Sequence, residues 1–257
     1  MIFESHAHYD DEAFDEDRKE LLISLREHGI DKVINVGASL KSCEITLQLM
    51  KEYSFIYGAM GVHPSETAQL NEENFAWLRE QCACDKVVAV GEIGLDYHWK
   101  EPEVPVQKLW FERQMELAKE VSLPVIIHSR DAAKDTLDMM KALCAGEIGG
   151  VVHCYSYTKE LAREYLNMDY YFGIGGVITF KNSKKLKEAV EYIPLNKILL
   201  ETDSPYLAPE PNRGKRNSSL NLPYVAQTVA ELKGVTYEEV VEVTCRNACR
   251  LFRIAEQ

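Results

Sequence analysis

Histidines and acidic residues recur where short apolar runs of this sequence end. The positions are His6, His8, His63, Glu92, His128, His153 and Asp203. Imidazole and carboxylate ligands together suit Zn, Mn, Fe or Ni better than Ca. Because His6 and His8 are two residues apart, both side chains point the same way on a strand and can bind one ion. A single such histidine is more often a core side chain bonded to a carbonyl, but the whole set predicts metal binding.

The number of these residues predicts more than one ion. Four histidines and two acids, leaving out His63, exceed what one open catalytic site needs. The excess indicates two ions that share a bridging carboxylate.

The elements that must position these side chains are short apolar runs, rich in Val and Ile, with amphipathic stretches between them. Strand and helix patterns that alternate imply parallel β-structure with right-handed crossovers. Eight such units in 257 residues favour an α/β fold, a (β/α)8 TIM-type barrel of about 250 residues, over an open doubly wound sheet. We predict one domain over residues 1–257. The runs are Met1–Phe3, Lys32–Val36, Phe55–Met60, Val87–Val90, Val125–Ile127, Gly150–Val152, Tyr170–Ile174 and Ile198–Leu200.

Several local patterns predict where helices begin, end and face. Gly29 stands at a helix C-terminus, and His28 before it is expected to be a polar helix-end residue. Thr236 with Glu239 forms a capping-box pattern. The residues expected to face inward are Gln107, Phe111, Gln114 and Ala118 on one helix, and Val240, Thr244, Asn247, Ala248 and Leu251 on the last. The Pro/Asn/Ser-rich stretch 205–223 is predicted to be a functional loop after the eighth strand.

Composition excludes several classes of protein. With 46% hydrophobic and 27% charged residues, the chain is neither disordered, nor collagen-like, nor a small disulfide scaffold, and no apolar run reaches the length of a membrane span. The net charge of −12 argues against a protein that coats nucleic acid, but not against an enzyme with a local cationic site. The seven cysteines cannot all pair and are expected to be reduced thiols of a cytoplasmic protein. We expect neither a cleaved leader, nor a membrane partner, nor an obligatory protein partner.

A set of motifs occurs in order along the chain. They are Phe3–His8 with Phe14 and Asp17, Gly61–Pro64, Gly91–Tyr97, His128–Arg130, His153–Ser156 and Glu201–Pro205. Together they resemble the TatD-like metal-dependent deoxyribonucleases, from residue 1 to about residue 252. An H-x-H pair alone would be a weak signal, whereas the ordered set is a strong one.

The resemblance implies a TIM-type barrel of the metallohydrolase superfamily that hydrolyses DNA phosphodiesters, with 3′→5′ exonuclease activity on single strands. It implies two divalent ions per chain, expected to be Zn, Mg or Mn. One ion would be held by His6, His8, Glu92 and Asp203, and the other by Glu92, His128 and His153, so that Glu92 bridges them. In one departure from the family, a longer Ser218–Pro223 follows the basic run, which affects the expected substrate length and strand preference.

Two acids have further predicted roles beside Glu92. A carboxylate next to a metal-bound water can take its proton, so Asp203 is the candidate base as well as a ligand; the alternative is a ligand only. Glu201 lies two residues earlier on the same strand face, one layer deeper. It is expected to orient a ligand, or else to be a buried structural acid.

Phosphate recognition needs cationic donors. His63, which lacks a paired ligand nearby in the sequence, is a candidate donor to a phosphate oxygen. Arg130 is a candidate phosphate clamp, with an ion pair to Asp131 or another loop acid as the alternative.

A dense basic cluster falls on the loop after the eighth strand. It comprises Arg213, Lys215 and Arg216, and contact with backbone phosphates is the functional interpretation; a solvated loop is the alternative.

Aromatic residues follow strands 4, 6 and 8, namely Tyr97, Trp99, Tyr155, Tyr157 and Tyr206. We expect only one or two to stack on nucleic acid bases, with Tyr97 assigned to substrate binding and His98 unassigned.

Three functions compete on these residues. The first is a two-metal phosphodiesterase acting on DNA, and the second is a metal-dependent amide or ester hydrolase of the same superfamily. Amidohydrolases commonly bridge their ions with a carboxylated lysine, so Glu92 at that position favours the nuclease, as do the cations around the site. The third, a barrel that binds without catalysis, is disfavoured by the intact ligand set.

Overall fold

The structure, a computed structural model, describes residues 1–256. Within this range eight parallel strands form one sheet whose order follows the chain from β1 to β8. The strands are β1 (Ile2–Ala7), β2 (Ile30–Val36), β3 (Ile56–Met60), β4 (Val87–Asp96), β5 (Val125–Arg130), β6 (Gly150–Val152), β7 (Tyr171–Ile174) and β8 (Ile198–Leu200).

Helices alternate with these strands. Ala7 at the end of β1 forms a parallel bridge with Ser204 after β8, so the first and last strands meet. This arrangement confirms the predicted (β/α)8 TIM-type barrel. The α-helices of residues 1–256 are α1 (Arg18–Glu27), α2 (Leu40–Glu52), α3 (Glu72–Gln81), α4 (Val104–Val121), α5 (Ala133–Ala142), α6 (Lys159–Asn167), α7 (Lys184–Tyr192), α8 (Leu222–Lys233) and α9 (Tyr237–Phe252).

Two strands extend further than the apolar runs predicted. β4 continues to Asp96 and β5 to Arg130, because Ile93–Asp96 pair in register with Ile127–Arg130. Glu92 and His128 therefore lie within strands rather than after them.

The chain divides into two compact units. Unit 1 comprises Met1–Asn35, Cys154–Asn167 and Tyr171–Gln257, and unit 2 comprises Val36–His153 and Met168–Tyr170. The single domain over residues 1–257 stays a prediction. No helix within residues 1–256 combines the length and apolar character needed to cross a membrane.

In unit 1 the predicted helix ends and inner face are confirmed. The Thr236 side chain accepts a hydrogen bond from the Glu239 backbone N–H, and the predicted inner residues of α9 are buried. His28 ends α1 with a contact from its Nδ1 to the Ser24 carbonyl oxygen at 2.8 Å. The Asn247 side chain donates to the carbonyl oxygen of Ile198, so α9 holds the start of β8.

In unit 2 the buried face of α4 confirms the predicted set, but two of its members have a polar function. The amide of Gln114 bonds both the N–H and the carbonyl group of Val62. The amide of Gln107 bonds the N–H and carbonyl group of Asp96 in the same way. These glutamines fix the backbone immediately before His63 and at the end of β4.

Candidate metal centre

The first group of possible ligands, the unit 1 group, consists of His6, His8 and Asp203. His6 lies on β1 and His8 just after it, and both are buried. Their Nε2 atoms are 3.1 Å apart, and Asp203 Oδ1 lies 3.4 Å from the His8 Nε2 and 3.8 Å from the His6 Nε2. Alternation along β1 thus brings both imidazoles to one face, as the sequence predicted.

This geometry fits a divalent ion. A tetrahedral ion with metal–nitrogen distances of about 2.0–2.1 Å holds two ligand nitrogens roughly 3.3 Å apart. The 3.1 Å between the His6 and His8 nitrogens is close to that value. Asp203 also has a left-handed backbone, with φ 57°. Non-glycine residues rarely adopt this conformation, and it is frequent at functional sites.

A buried acid that the sequence analysis did not single out supports the unit 1 group. Glu4 is fully buried and accepts hydrogen bonds from the backbone N–H of His6 at 3.1 Å and of Thr202 at 2.9 Å. Its second oxygen accepts the hydroxyls of Thr202 and Ser219. Burial raises the pKa of Glu4 to about 7, although these bonds oppose the shift. Glu4 therefore links β1 by hydrogen bonds to the chain after β8 and to Ser219 of the Ser218–Pro223 segment.

Glu201, two residues before Asp203, is buried. Its Oε1 accepts the backbone N–H of Cys154 at 2.6 Å. Gly173 of β7 leaves the room that this carboxylate fills, since a Cβ there would overlap it. Its role in orienting a ligand stays a prediction.

The second group, the unit 2 group, converges on one oxygen atom. Glu92 Oε1 lies 2.7 Å from His128 Nδ1, 3.8 Å from His153 Nε2 and 4.0 Å from His63 Nε2. Glu92 and His153 are buried. The Glu92 carboxylate with the imidazoles of His128 and His153 is a donor set that suits a divalent transition metal.

Asp96 completes this group and was missed from the sequence. Its Oδ2 lies 3.0 Å from His128 Nε2. Burial disfavours the charged imidazole, yet the bonds to Asp96 and Glu92 raise the pKa of His128 above its ordinary value. Burial likewise opposes ionisation of Asp96, but the bond to His128 holds the pKa of that carboxyl below its ordinary value. A histidine that donates one N–H to a carboxylate keeps its other nitrogen for a metal, so the contact with Asp96 would leave Nδ1 of His128 available to hold an ion.

His63 lies beside Glu92 and His128 in space, although no paired ligand is near it in the sequence. Its ring centroid is 4.3 Å from that of His128. Its Nδ1 accepts the backbone N–H of Ser65 at 3.2 Å. Since a backbone N–H can only donate, the proton of neutral His63 is on Nε2, the nitrogen that faces Glu92. This geometry favours a hydrogen-bond donor over a metal ligand.

Arg130 and Tyr97, the other residues of unit 2 predicted to bind substrate, differ in whether their polar groups are already bonded. Arg130 is exposed at the end of β5, and within residues 1–256 it makes no ion pair. The alternative ion pair with Asp131 is therefore absent; Asp131 lies instead 3.6 Å from His98. The hydroxyl of Tyr97 donates to Asp135 at 2.9 Å, which occupies its polar end.

In the basic cluster, Arg216 is already paired. Its guanidinium bonds both carboxylate oxygens of Asp17, donates to the Ala13 carbonyl group and lies 4.8 Å from the Phe14 ring centre. The hydrogen bond from Arg216 keeps the pKa of Asp17 below its ordinary value. Phe14 and Asp17 of the first motif therefore hold the Arg216 side chain in place. Contact between Arg216 and a phosphate stays a prediction.

The remaining members of the cluster are more open to solvent. Arg213 is half exposed, and its guanidinium lies 4.0 Å from Glu210 Oε1 and 4.2 Å from the Phe180 ring centre. Lys215 is exposed. Both can reach a phosphate without first leaving a bidentate ion pair.

The aromatic residues separate into buried and exposed sets. Tyr155 is buried, donates to the Thr158 carbonyl group and packs against Phe172, so it belongs to the core. Trp99 and Tyr206 are 56% and 54% exposed. The hydroxyl of Tyr206 donates to Asp11.

Comparison with known proteins agrees with these observations. The family model described as TatD related DNase matches residues 3–253. The uncharacterized metal-dependent hydrolase YabD of Bacillus subtilis is 44% identical over 254 residues, covering 99% of this chain and 100% of that protein. A protein of Cronobacter sakazakii named 3′-5′ ssDNA/RNA exonuclease TatD is 34% identical over 245 residues, covering 93% of each.

A solved structure extends the likeness to the fold. The crystal structure of the TatD homologue YJJV from Escherichia coli K12 matches with a TM-score of 0.93 at 28% identity, covering 99% of this chain and 98% of that one. The match spans the strands that carry both ligand groups. This chain therefore belongs to the TatD-related DNase family and is a metal-dependent hydrolase.

Proposed function

We propose that this chain hydrolyses DNA phosphodiester bonds as a 3′→5′ exonuclease on single strands, using two divalent ions. The observation that carries the proposal is the presence of two ligand groups, one in each unit. Each group brings imidazole nitrogens close to a carboxylate, that of Asp203 in unit 1 and that of Glu92 in unit 2. The name of the Cronobacter sakazakii relative, an exonuclease on ssDNA and RNA, supports the substrate class. Zn, Mg and Mn are the candidate ions, and Glu92 is the candidate bridge between them.

The chain's own residues have distinct tasks in this proposal. Bound divalent ions supply charge stabilisation and a water of lowered pKa. Asp203 accepts a proton at its carboxylate, and the Nε2–H of His63 donates to a phosphate oxygen. Arg130 clamps a second phosphate oxygen with its planar fork.

Electrostatics favour local rather than long-range attraction of the substrate. The chain carries a net charge of −12, which repels nucleic acid at a distance. Arg213 and Lys215 are exposed on the loop after β8. They are the candidate contacts to the phosphates of the strand outside the metal site.

Metal analysis followed by a substrate panel tests the proposal. The protein is purified without chelator, its metal content per chain is measured, and it is then given 5′-labelled single- and double-stranded DNA and RNA. We expect stepwise shortening of single-stranded DNA from the 3′ end, lost after chelation and restored by a divalent metal. Activity that survives exhaustive chelation contradicts the metal mechanism.

The panel also includes simple carboxylic esters and amides, which represent the alternative hydrolase. Both functions need the same ions, so metal content does not separate them. Turnover of these compounds without cleavage of any oligonucleotide contradicts the nuclease.

A further inference from the structure

An exposed tryptophan lies near the unit 2 group. Trp99, on the loop between β4 and α4, is 56% exposed. With Ser65, Lys100 and Glu101 it lines a shallow cleft that is open to solvent. Covering an exposed indole face with another ring is favourable, so this position favours a flat apolar ligand.

Two hydrogen-bonded connections join the cleft to the residues around Glu92. Ser65 Oγ lies 2.8 Å from His63 Nδ1. On the tryptophan side, the backbone N–H of His98 donates to Asp96 Oδ1 at 2.9 Å. The second oxygen of Asp96 contacts His128. A ligand in the cleft is therefore next to the reacting centre of the proposed nuclease.

The loop that carries the indole is held at both ends. The Gln107 side chain donates to the carbonyl oxygens of Asp96 and Pro102, each at 2.9 Å, and the Trp99 ring rests edge-on against His98 with centroids 4.9 Å apart. A ring held in place before binding loses less entropy when a ligand arrives.

We propose that Trp99 stacks on an unpaired nucleobase of the substrate, beside the nucleotide whose phosphate enters the metal site. The inference rests on the proposed nuclease function and deepens it. Lys100 and Glu101 offset each other in charge, so the cleft suits the uncharged face of a base rather than a phosphate. Stacking tolerates any base but requires one that is unpaired, which gives the site its preference for single strands.

A double-mutant cycle between protein and substrate tests this contact. Dissociation constants of the metal-loaded protein are measured by anisotropy with 5′-labelled phosphorothioate oligonucleotides, which resist hydrolysis. The oligonucleotides are either complete or abasic at each 3′-terminal position in turn. Trp99→Ala is expected to weaken binding of the complete strand roughly 5- to 150-fold. At one position, removal of the base is expected to make Trp99→Ala silent, because both changes remove the same contact.

Two further variants keep the result interpretable. Trp99→Phe retains an aromatic face and is expected to keep much of the coupling. Trp77→Ala, which removes a partly buried indole from a different cleft on α3, is expected to bind complete and abasic strands as the wild type does.

Additive effects of Trp99→Ala and base removal at every position overturn the inference, as does equal coupling for Trp77→Ala. If the wild-type protein degrades oligonucleotides and only the coupling is absent, the nuclease function stands and the stacking contact fails. If it neither binds nor degrades any oligonucleotide, both fail together.

Discussion

In the unit 1 group the nitrogens of His6 and His8 lie 3.1 Å apart, and the Asp203 carboxylate lies 3.4 Å from the nearer of them. In the unit 2 group His128 is instead held between two carboxylates, Glu92 at 2.7 Å and Asp96 at 3.0 Å. The chain around the unit 1 group is held by hydrogen bonds from backbone N–H groups and hydroxyls to the buried carboxylate of Glu4. In the unit 2 group, by contrast, His128 is held by the negative charges of Glu92 and Asp96.

This difference predicts how each group responds to protons and to mutation. For His128 to act as a ligand, the nitrogen that faces Glu92 must give up its proton, so metal binding competes with protonation there. The unit 1 group depends on the hydrogen bonds around Glu4. Removal of those bonds is therefore expected to lower the free energy of unfolding of the protein before it affects metal binding. Variants of the two groups are therefore expected to fail in different ways.

Glu92→Gln is expected to have the largest effect. If Glu92 bridges two ions about 3.5–4 Å apart, the neutral amide no longer offsets their repulsion. At least one ion per chain is lost, and turnover falls about 10³-fold or more, whereas the melting temperature is retained or rises slightly. Metal content and rate with excess metal measure this.

Glu72→Gln is the matched control for that variant. Glu72 pairs with Arg113 at the surface, so its neutralisation is expected to leave metal content and turnover unchanged. A Glu92→Gln protein with two bound ions and near-normal turnover contradicts the bridging role. That result would also show that the unit 2 group does not need the charge of Glu92, so charge would no longer distinguish it from the unit 1 group.

Asp96→Asn is expected to rank second. The amide keeps the shape of the side chain but removes the negative charge that holds the His128 proton on Nε2. Loss of such a supporting carboxylate typically costs about 10- to 100-fold in metal affinity or activity. Competition with a metal-binding dye measures the affinity.

Asp135→Asn serves as its control, because Asp135 lies in the same unit and accepts a hydrogen bond from Tyr97. Its affinity for metal is expected to stay at the wild-type value. Equal affinities for Asp96→Asn and the wild type would show that Glu92 alone orients the imidazole.

The sequence predicted the barrel well because each strand is marked by its own apolar residues. It underestimated β4, since the extension to Asp96 depends on pairing with Ile127–Arg130 of β5, and pairing is not visible in one segment. The same limit applies to Arg216, whose partner Asp17 is 199 residues away.

The ligand histidines were visible because their type and position coincide. Glu4 and Asp96 were missed although a simple signal exists: each lies an even number of residues from a ligand on the same strand, and so on the same face. Gln107 and Gln114 were identified only as inward-facing helix residues. Their backbone partners, 11 and 52 residues away, follow from the tertiary fold alone.

Glu4→Ala tests the polar support of the unit 1 group. It leaves the buried N–H groups of His6 and Thr202 and two hydroxyls without their acceptor, which costs about 1–3 kcal/mol for each group left unpaired. We expect the free energy of unfolding to fall by about 3 kcal/mol or more, measured by urea denaturation. Glu4→Gln keeps one amide oxygen for the N–H groups and is expected to lose less. A change for Glu4→Ala within about 0.5 kcal/mol, as for an ordinary surface substitution, would refute this support.

The smallest expected effects concern the basic cluster after β8, and they separate Arg216, which is held by a bidentate ion pair, from Arg213 and Lys215. Arg213→Ala and Lys215→Ala are each expected to reduce the slope of log affinity against log salt for single-stranded DNA by about 0.7, the value for one lost phosphate contact. Arg216→Ala is expected to change the slope less, because Asp17 already neutralises the guanidinium. Titrations of a labelled oligonucleotide over a range of salt concentrations measure all three slopes. If Arg216→Ala instead gives the largest reduction, the ion pair with Asp17 opens when substrate binds, and phosphate outcompetes the carboxylate for the arginine. Unchanged slopes for all three variants would show that this loop does not contact the substrate backbone.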